Sequence, residues 1–318
     1  MARDGNDPRV SAPSKDLSIV VCAHDHRREL PRTVRSLSPP YQLEVDPQRV
    51  EIIVVDNGSN VPIAPQWFEG IEAEVTVLRF EPVTPSPCGA LNAGVAVARG
   101  TQIAVFVDGA RMASPGLLAR ARAAMRTGAD VFVATMGFHL GPDMQQVSLA
   151  NGYSPEVEDR LLSEIDWERD GYRMFEICAR AASYRNGVLA EFPETPAFVM
   201  HRASFERLGG FNENFRHPGG GLANFDFYER VFNDAAISPV VLIGEGTFHQ
   251  AHGGATTAAG GVGRRETPDG PTIWENMVRE FEAVVGRAPV SVRLRKPLLF
   301  GRCESAAAEN CFFPLEPR

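Results

Sequence analysis

"QIAVFVDGARMASPGLL", residues Gln102–Leu118, decides the fold. An unbroken apolar, β-branched run stops at a single carboxylate, Asp108. A small-residue turn and Arg111 follow, and a helix is expected from Pro115. A run without polar alternation reads as a strand covered on both faces, which is the habit of parallel sheets. Upstream lie "LSIVVCA" (Leu17–Ala23), "VEIIVVD" (Val50–Asp56) and "EVTVLRF" (Glu74–Phe80). Helical patterns separate them: Leu30, Val34 and Leu37 share one face of "RRELPRTVRSL", and "CGALNAGVAVARG" runs to a stop at Gly100. Strand and helix in alternation imply an α/β class: a doubly wound, mostly parallel sheet flanked by helices.

Downstream, Ala129–Phe138 reads as another strand. The charged stretch Ser154–Ser183 reads as mostly helix from a Ser-Pro start, interrupted near Gly171. Thr195–Phe215 gives a strand, a helix and a glycine stop. "NFDFYERVF" reads as a helix and "SPVVLIGEG" as a strand. The glycine-rich Thr256–Gly270 is expected to be mobile, and a C-terminal helix, Ile273–Gly286, precedes an arginine-rich tail.

Composition narrows the function. The 318 residues are 44% hydrophobic and 23% charged, with a net charge of −8 and a pI near 5.5. A general nucleic-acid binder needs a basic face, so that class is set aside. No apolar run approaches the roughly 20 residues of a spanning helix. The opening "MARDGNDPRVSAPSKD" is polar and is expected to be a flexible tail, not a signal peptide. Five cysteines without a C-x-x-C pair fit a reducing compartment, and a cytoplasmic location is the expectation.

In an open parallel sheet, ligands bind beyond the carboxyl ends of the strands. Those ends carry "AHDH", "DNGS" and "DGAR", hence Asp25, Asp56 and Asp108. Carboxylates converging on one crevice need nucleoside hydroxyls and amides, or a divalent cation, between them. Each also reads as a cap for the turn that follows, Asp56 most readily. The loop "HPGGGLANFD" has neither the lysine of a P-loop nor a G-x-G-x-x-G pattern, and reads as an acceptor-side wall.

Taken in order, "LSIVVCAHDHRRELPRTVRSL", "VEIIVVDNGS", "GALNAGVAVARG", "IAVFVDGARMASPGLL", "GGFNENF" and "NFDFYERV" resemble family 2 glycosyltransferases of the GT-A fold across Leu17–Val231. The resemblance implies transfer of a sugar from a nucleoside-diphosphate donor to an acceptor hydroxyl, with inversion. It places Ala23, His24, Asp25 and Asp56 about the nucleoside, Asn92 beside the donor, and Asp108 next to the ribose and diphosphate. It implies Mg²⁺ or Mn²⁺, a UDP- or dTDP-sugar and a hydroxyl acceptor of unknown kind. It also divides the chain into a tail (1–16), a catalytic domain (17–256, with a nucleotide-binding half 17–110 and an acceptor half 111–256) and a mobile loop, C-terminal helical extension and tail (257–318).

Two positions depart from the pattern. The second acid of D-x-D is Ala110. The base of inverting members falls on Asn224, with Asp226 the nearest later acid, and an amide takes no proton. Both Asn224 and Asp226 stand as candidate catalytic residues; the base otherwise comes from elsewhere, or transfer is retaining. Outlying GT-A enzymes bring a C-terminal histidine to the metal, which singles out His249 and His252 beside Asp108. Arg111 is a candidate to hold phosphate directly. A sugar-nucleotide-binding module without catalysis remains the alternative, and a nucleotidyltransferase a weaker one.

Overall fold

The computed structural model describes residues 15–254, 257–258, 260–265, 267–289 and 295–314. Strand β1 (Leu17–Ala23) leads to helix α1 (Glu29–Ser36) and β2 (Val50–Asp56), then β3 (Glu74–Arg79), α2 (Cys88–Ala96) and β4 (Gln102–Phe106). A short β5 (Arg111–Ala113) and α3 (Leu117–Ala124) follow, then β6 (Val131–Leu140), α4 (Gln145–Ala150), α5 (Pro155–Glu164) and β7 (Cys178–Arg180). The chain continues through β8 (Ala197–His201), α6 (Arg202–Arg207), α7 (Ala223–Asn233), β9 (Ser238–His249), α8 (Ile273–Val285), β10 (Leu298–Gly301) and α9 (Ala306–Phe312).

The strands form one sheet in the order β10-β9-β6-β8-β4-β1-β2-β3, with β5 on β9 and β7 on β6. β4-β1-β2-β3 is parallel throughout, β8 runs antiparallel between β4 and β6, and β6-β9-β10 is parallel again. The expected doubly wound, mostly parallel architecture is therefore observed. Alternate β1 residues face opposite cores: Ile19 and Val21 pack toward Leu30 and Val34 of α1, Val20 and Cys22 toward Leu91 and Val95 of α2. An aromatic cluster of Phe132, Phe198, Phe205, Phe211 and Phe227 joins β6, β8, α6 and α7. Phe227 is fully buried, so truncation to alanine costs about 3–5 kcal/mol.

Several boundaries differ from the sequence reading. Only Pro155–Glu164 of the charged middle stretch is α-helix, capped by the Ser154 hydroxyl on the Val157 amide; beyond it come turns and β7. Of the expected tail 1–16, all but Lys15 and Asp16 lies outside the described residues. Those two are anchored, Lys15 on the Gln48 carbonyl and Asp16 on Arg49 and Arg122. The expected mobile connection Thr256–Gly270 also lies partly outside them; within them, Gly261–Gly263 forms a turn and Arg265 bridges Thr272. α8 begins with a Thr272–Glu275 capping box and ends on left-handed Gly286.

The C-terminal tail is the largest difference. Leu298–Gly301 adds a parallel edge strand to β9, and Phe312 of α9 packs on Phe138 and Phe175. Close approach makes this possible: Gly244 has φ +80°, and a side-chain carbon there would collide with the Arg302 carbonyl. No helix among the described residues is long and apolar enough to cross a membrane.

Candidate active site

β4 ends at Phe106, so Asp108 stands two residues beyond the sheet in a tight turn. Its Oδ1 accepts the Ala110 amide at 2.8 Å. Gly109 admits no side chain, since a carbon there would come within 2.7 Å of Ala23 Cβ and 2.8 Å of His26 Nδ1. Ala110, where a second acid was expected, is fully buried, and its carbonyl accepts the Gln250 amide. A carboxylate at that position would be desolvated inside the fold; polar side chains reach Asp108 from another segment.

That segment is the end of β9. Its pairing with β5 and β6 sets His249 opposite Arg111 on one side and His139 on the other. His249 Nε2 lies 3.0 Å from Asp108 Oδ2, and His252 Nε2 lies 3.5 Å from the same oxygen and 3.0 Å from His249 Nε2. His26, the second histidine of "AHDH", brings Nδ1 to 3.8 Å from Asp108 Oδ1 and stacks edge-on against His252 at 4.5 Å between ring centres. Sequence reasoning missed His26, although it follows the same strand end as Asp25. It also missed Gln145, whose Oε1 meets His249 Nδ1.

The strap after β9 is clamped from outside. Buried Glu158 of α5 accepts the Ala251 amide at 2.8 Å and Arg28 Nη2 at 2.8 Å, and Arg28 also donates to the Ala251 carbonyl. The segment just after "AHDH" and the middle helix thus fix His252 together. Burial raises the Glu158 pKa, against the bonds from Ala251 and Arg28.

Electrostatics divide the histidines. Burial disfavours charge on His249, Arg111 adds to that, and its pKa falls to about 3. Burial likewise lowers His26 and His139. At His252 burial pulls downward, but Asp108 overcomes it and raises the pKa. Burial would raise Asp108 itself; the imidazolium of His252 and the histidine hydrogen bonds outweigh it and hold the carboxyl well below 3.8. Asp108 thus favours charge on His252, whereas burial disfavours it on His26, His139 and His249.

These residues fit a divalent cation. One atom each from His26, Asp108 and His252 lies within 4.8 Å of the others, and His26 Nδ1 is buried with no hydrogen-bond partner. Carboxylate mixed with imidazole suits Mn²⁺ better than Mg²⁺, which prefers oxygen. Beside the cluster, Arg111 buries Nε and Nη1 with no partner among the described residues. An unpaired guanidinium at a sheet edge calls for an anion.

The other expected site residues are distributed differently. His24 is 57% exposed, with Nδ1 3.0 Å from the Asn57 carbonyl. Asp25, at φ 56°, accepts the Asn60 amide and side chain, and its own amide donates to Ser59 Oγ. Asp56 lies beside Ala23 in register, yet both its oxygens are engaged, by Ser59 N–H on one and by Ile63 N–H and Arg79 on the other. Burial would raise its pKa, but these bonds bring it below the usual value. The cap reading of Asp56 describes these contacts.

Asn92 and Asp226 line a cavity of about 440 Å³ together with Gly210, Glu213 and Arg230, and Asp108 is not part of that lining. Asn92 pairs with the backbone of Phe211 through both its oxygen and nitrogen. Asp226 holds Arg230 at 2.9 Å, which in turn donates to the Leu208 and Gly210 carbonyls. Both shape the "GGFNE" loop, and the Asp226 carboxylate, expected as a candidate catalytic group, is engaged by the Arg230 guanidinium. Asn224 Nδ2 donates to Glu194 Oε2 and to the Thr195 carbonyl.

Comparison with known proteins adds the family. Residues 18–192, more than half of the chain, match the family model Glycosyl transferase family 2. The fold is similar to S. aureus TarS 1-349 in complex with UDP-GlcNAc (14% identity, 87% of this chain and 68% of that one, TM-score 0.54). It is similarly close to S. aureus TarS 1-349 in complex with UDP (14% identity, 87% and 67%, TM-score 0.52). No curated protein matches the chain.

Proposed function

The chain belongs to glycosyl transferase family 2, and from that premise we propose that it transfers a sugar from a nucleoside-diphosphate donor, a UDP- or dTDP-sugar, to an acceptor hydroxyl with inversion. One observation carries the reading: Asp108, ringed by His26, His249 and His252, adjoins the unpaired Arg111 at the carboxyl edge of the sheet. A leaving diphosphate needs its growing negative charge met by fixed cations in a site already organised for it. TarS, of the same fold, is described with UDP and UDP-GlcNAc, which supports a uridine donor here.

Asp108, His252 and His26 would hold a divalent cation, Mn²⁺ in preference to Mg²⁺, and such a cation supplies Lewis-acid charge to a diphosphate. The protein's own groups do the rest. Arg111 presents its planar fork to phosphate oxygens. His24 and the backbone around Asp25 and Asn57 border the nucleoside. Neutral His249 orients Asp108 and is itself oriented by Gln145. The acceptor enters over Gly219–Asp226.

The amide at Asn224 favours a second reading, a sugar-nucleotide-binding module without turnover. Incubation with UDP-, dTDP- and GDP-sugars and Mn²⁺, following nucleoside-diphosphate release, separates them. Release from a uridine or thymidine donor is expected. Nucleotide binding without release supports the module; neither binding nor release overturns both.

A further inference from the structure

Glu194 has no role in the family pattern and none in the reading above, yet it stands at the same sheet edge as Asp108. The Val107 amide donates to the Pro196 carbonyl at 3.3 Å, continuing the antiparallel β4–β8 register in which Phe106 faces Ala197. Thr195 and Glu194 thus precede β8 at the end of the sheet where β4 runs out toward Asp108. Two neighbours fix its carboxylate and a third its backbone. Asn224 Nδ2 donates to Oε2 at 3.1 Å and Ser183 Oγ to Oε1 at 2.5 Å, while the Tyr184 hydroxyl donates to the Glu194 carbonyl at 3.0 Å. The Tyr184 ring and Arg111 Nη1 both crowd Gly137, so the tyrosine that holds the Glu194 backbone also neighbours the orphan guanidinium.

We propose that Glu194 is the catalytic base of this chain, with Asn224 demoted from base to positioning residue. The proposal rests on the transferase reading above. It also follows from what the other carboxylates do. Asp226 is bound to Arg230, Asp56 is saturated by Arg79 and two amides, and Asp108 faces the histidines. Glu194 is held by neutral donors, one of them Asn224, and no lysine or arginine among the described residues pairs with it. Neutral hydrogen bonds orient a carboxylate without cancelling its charge, and each oxygen keeps a lone pair for a substrate proton. Half-buried, it remains within reach of an incoming hydroxyl.

In the step this implies, the acceptor oxygen forms a bond to the anomeric carbon while the bond from that carbon to the diphosphate oxygen breaks. The electron pair leaves with the nucleoside diphosphate, and the acceptor proton passes to Glu194. Water in place of the acceptor gives hydrolysis by the same balance.

The test uses Glu194→Gln and the double variant Glu194→Gln/Asn224→Asp. The substrate is the uridine or thymidine donor that wild type releases fastest, with water as acceptor. Glu194→Gln is expected to lower kcat by about 10²–10⁴-fold while UDP affinity stays within about twofold. The double variant returns a carboxylate 3.1 Å from the lost one and should recover part of the rate. Wild-type turnover in Glu194→Gln overturns the proposal, as does loss of UDP binding in parallel with rate, which marks a structural role. Absence of UDP binding and release in wild type instead brings down the transferase reading, and this proposal with it.

Discussion

His249 Nε2 lies 3.0 Å from Asp108 Oδ2, across 141 positions of sequence. The last residue of β9 thereby reaches the acid left alone by Ala110. If this cluster is the metal site, His252→Ala should weaken Mn²⁺ binding at least ~10-fold, in line with ligand-sphere changes elsewhere. His201→Ala, at the half-buried end of β8, should leave it unchanged. Titration of Mn²⁺ by electron paramagnetic resonance reads both; equal affinities would remove His252 from the set.

Arg111 buries two nitrogens without partners. Removing a charged hydrogen bond costs about 1.5–3 kcal/mol. Arg111→Ala should therefore weaken UDP by roughly tenfold or more and leave uridine affinity unchanged, as calorimetry with the two ligands will report. An equal loss for both would move Arg111 away from phosphate.

Asp226 ties Arg230 to the loop Leu208–Gly210. Asp226→Ala leaves that guanidinium without its carboxylate and should cost about 1–3 kcal/mol, lowering Tm. UDP affinity should hold. A variant that folds as wild type but loses all turnover would make Asp226 a base.

Glu245 is buried between Ser114 Oγ (2.5 Å) and the Tyr172 hydroxyl (2.7 Å), with Tyr41 and Arg120 nearby. Burial raises its pKa above 4.5 despite the bonds from Ser114 and Tyr172. The folded state then holds a proton that the unfolded state releases. Its contribution is present below 4.5 and lost as pH rises through the folded value. Glu245→Gln does not titrate, so its Tm relative to wild type should rise from pH 4.5 to pH 7. A pH-independent difference would contradict this.

Much of the fold was legible because β1 and β2 bury every residue, so their unbroken apolar runs match their observed bounds. The tail was not legible: Leu298–Gly301 is a short, half-exposed edge strand without alternation, and it exists only because β9 offers a free edge at Val240–Ile243. In the site, Asp108, His249 and His252 could be paired through motif order and a missing acid. His26 could not, since one histidine beside a strand end carries no signal until the sheet brings another to it. The loop contacts of Asn92 and Asp226 were not legible, because motif position says nothing about which backbone groups a side chain ties. Glu194 lies outside every motif and is seen only through the amide of Asn224.

The central claim is that Asp108 and its histidines gather a cation for a nucleoside diphosphate. The direct measurement is the Kd of UDP by calorimetry with and without Mn²⁺, on wild type and Asp108→Ala. The account predicts that Mn²⁺ tightens UDP at least ~10-fold in wild type, about 1.4 kcal/mol, and not at all in Asp108→Ala. Equal UDP affinity in both proteins, with and without the cation, would contradict it.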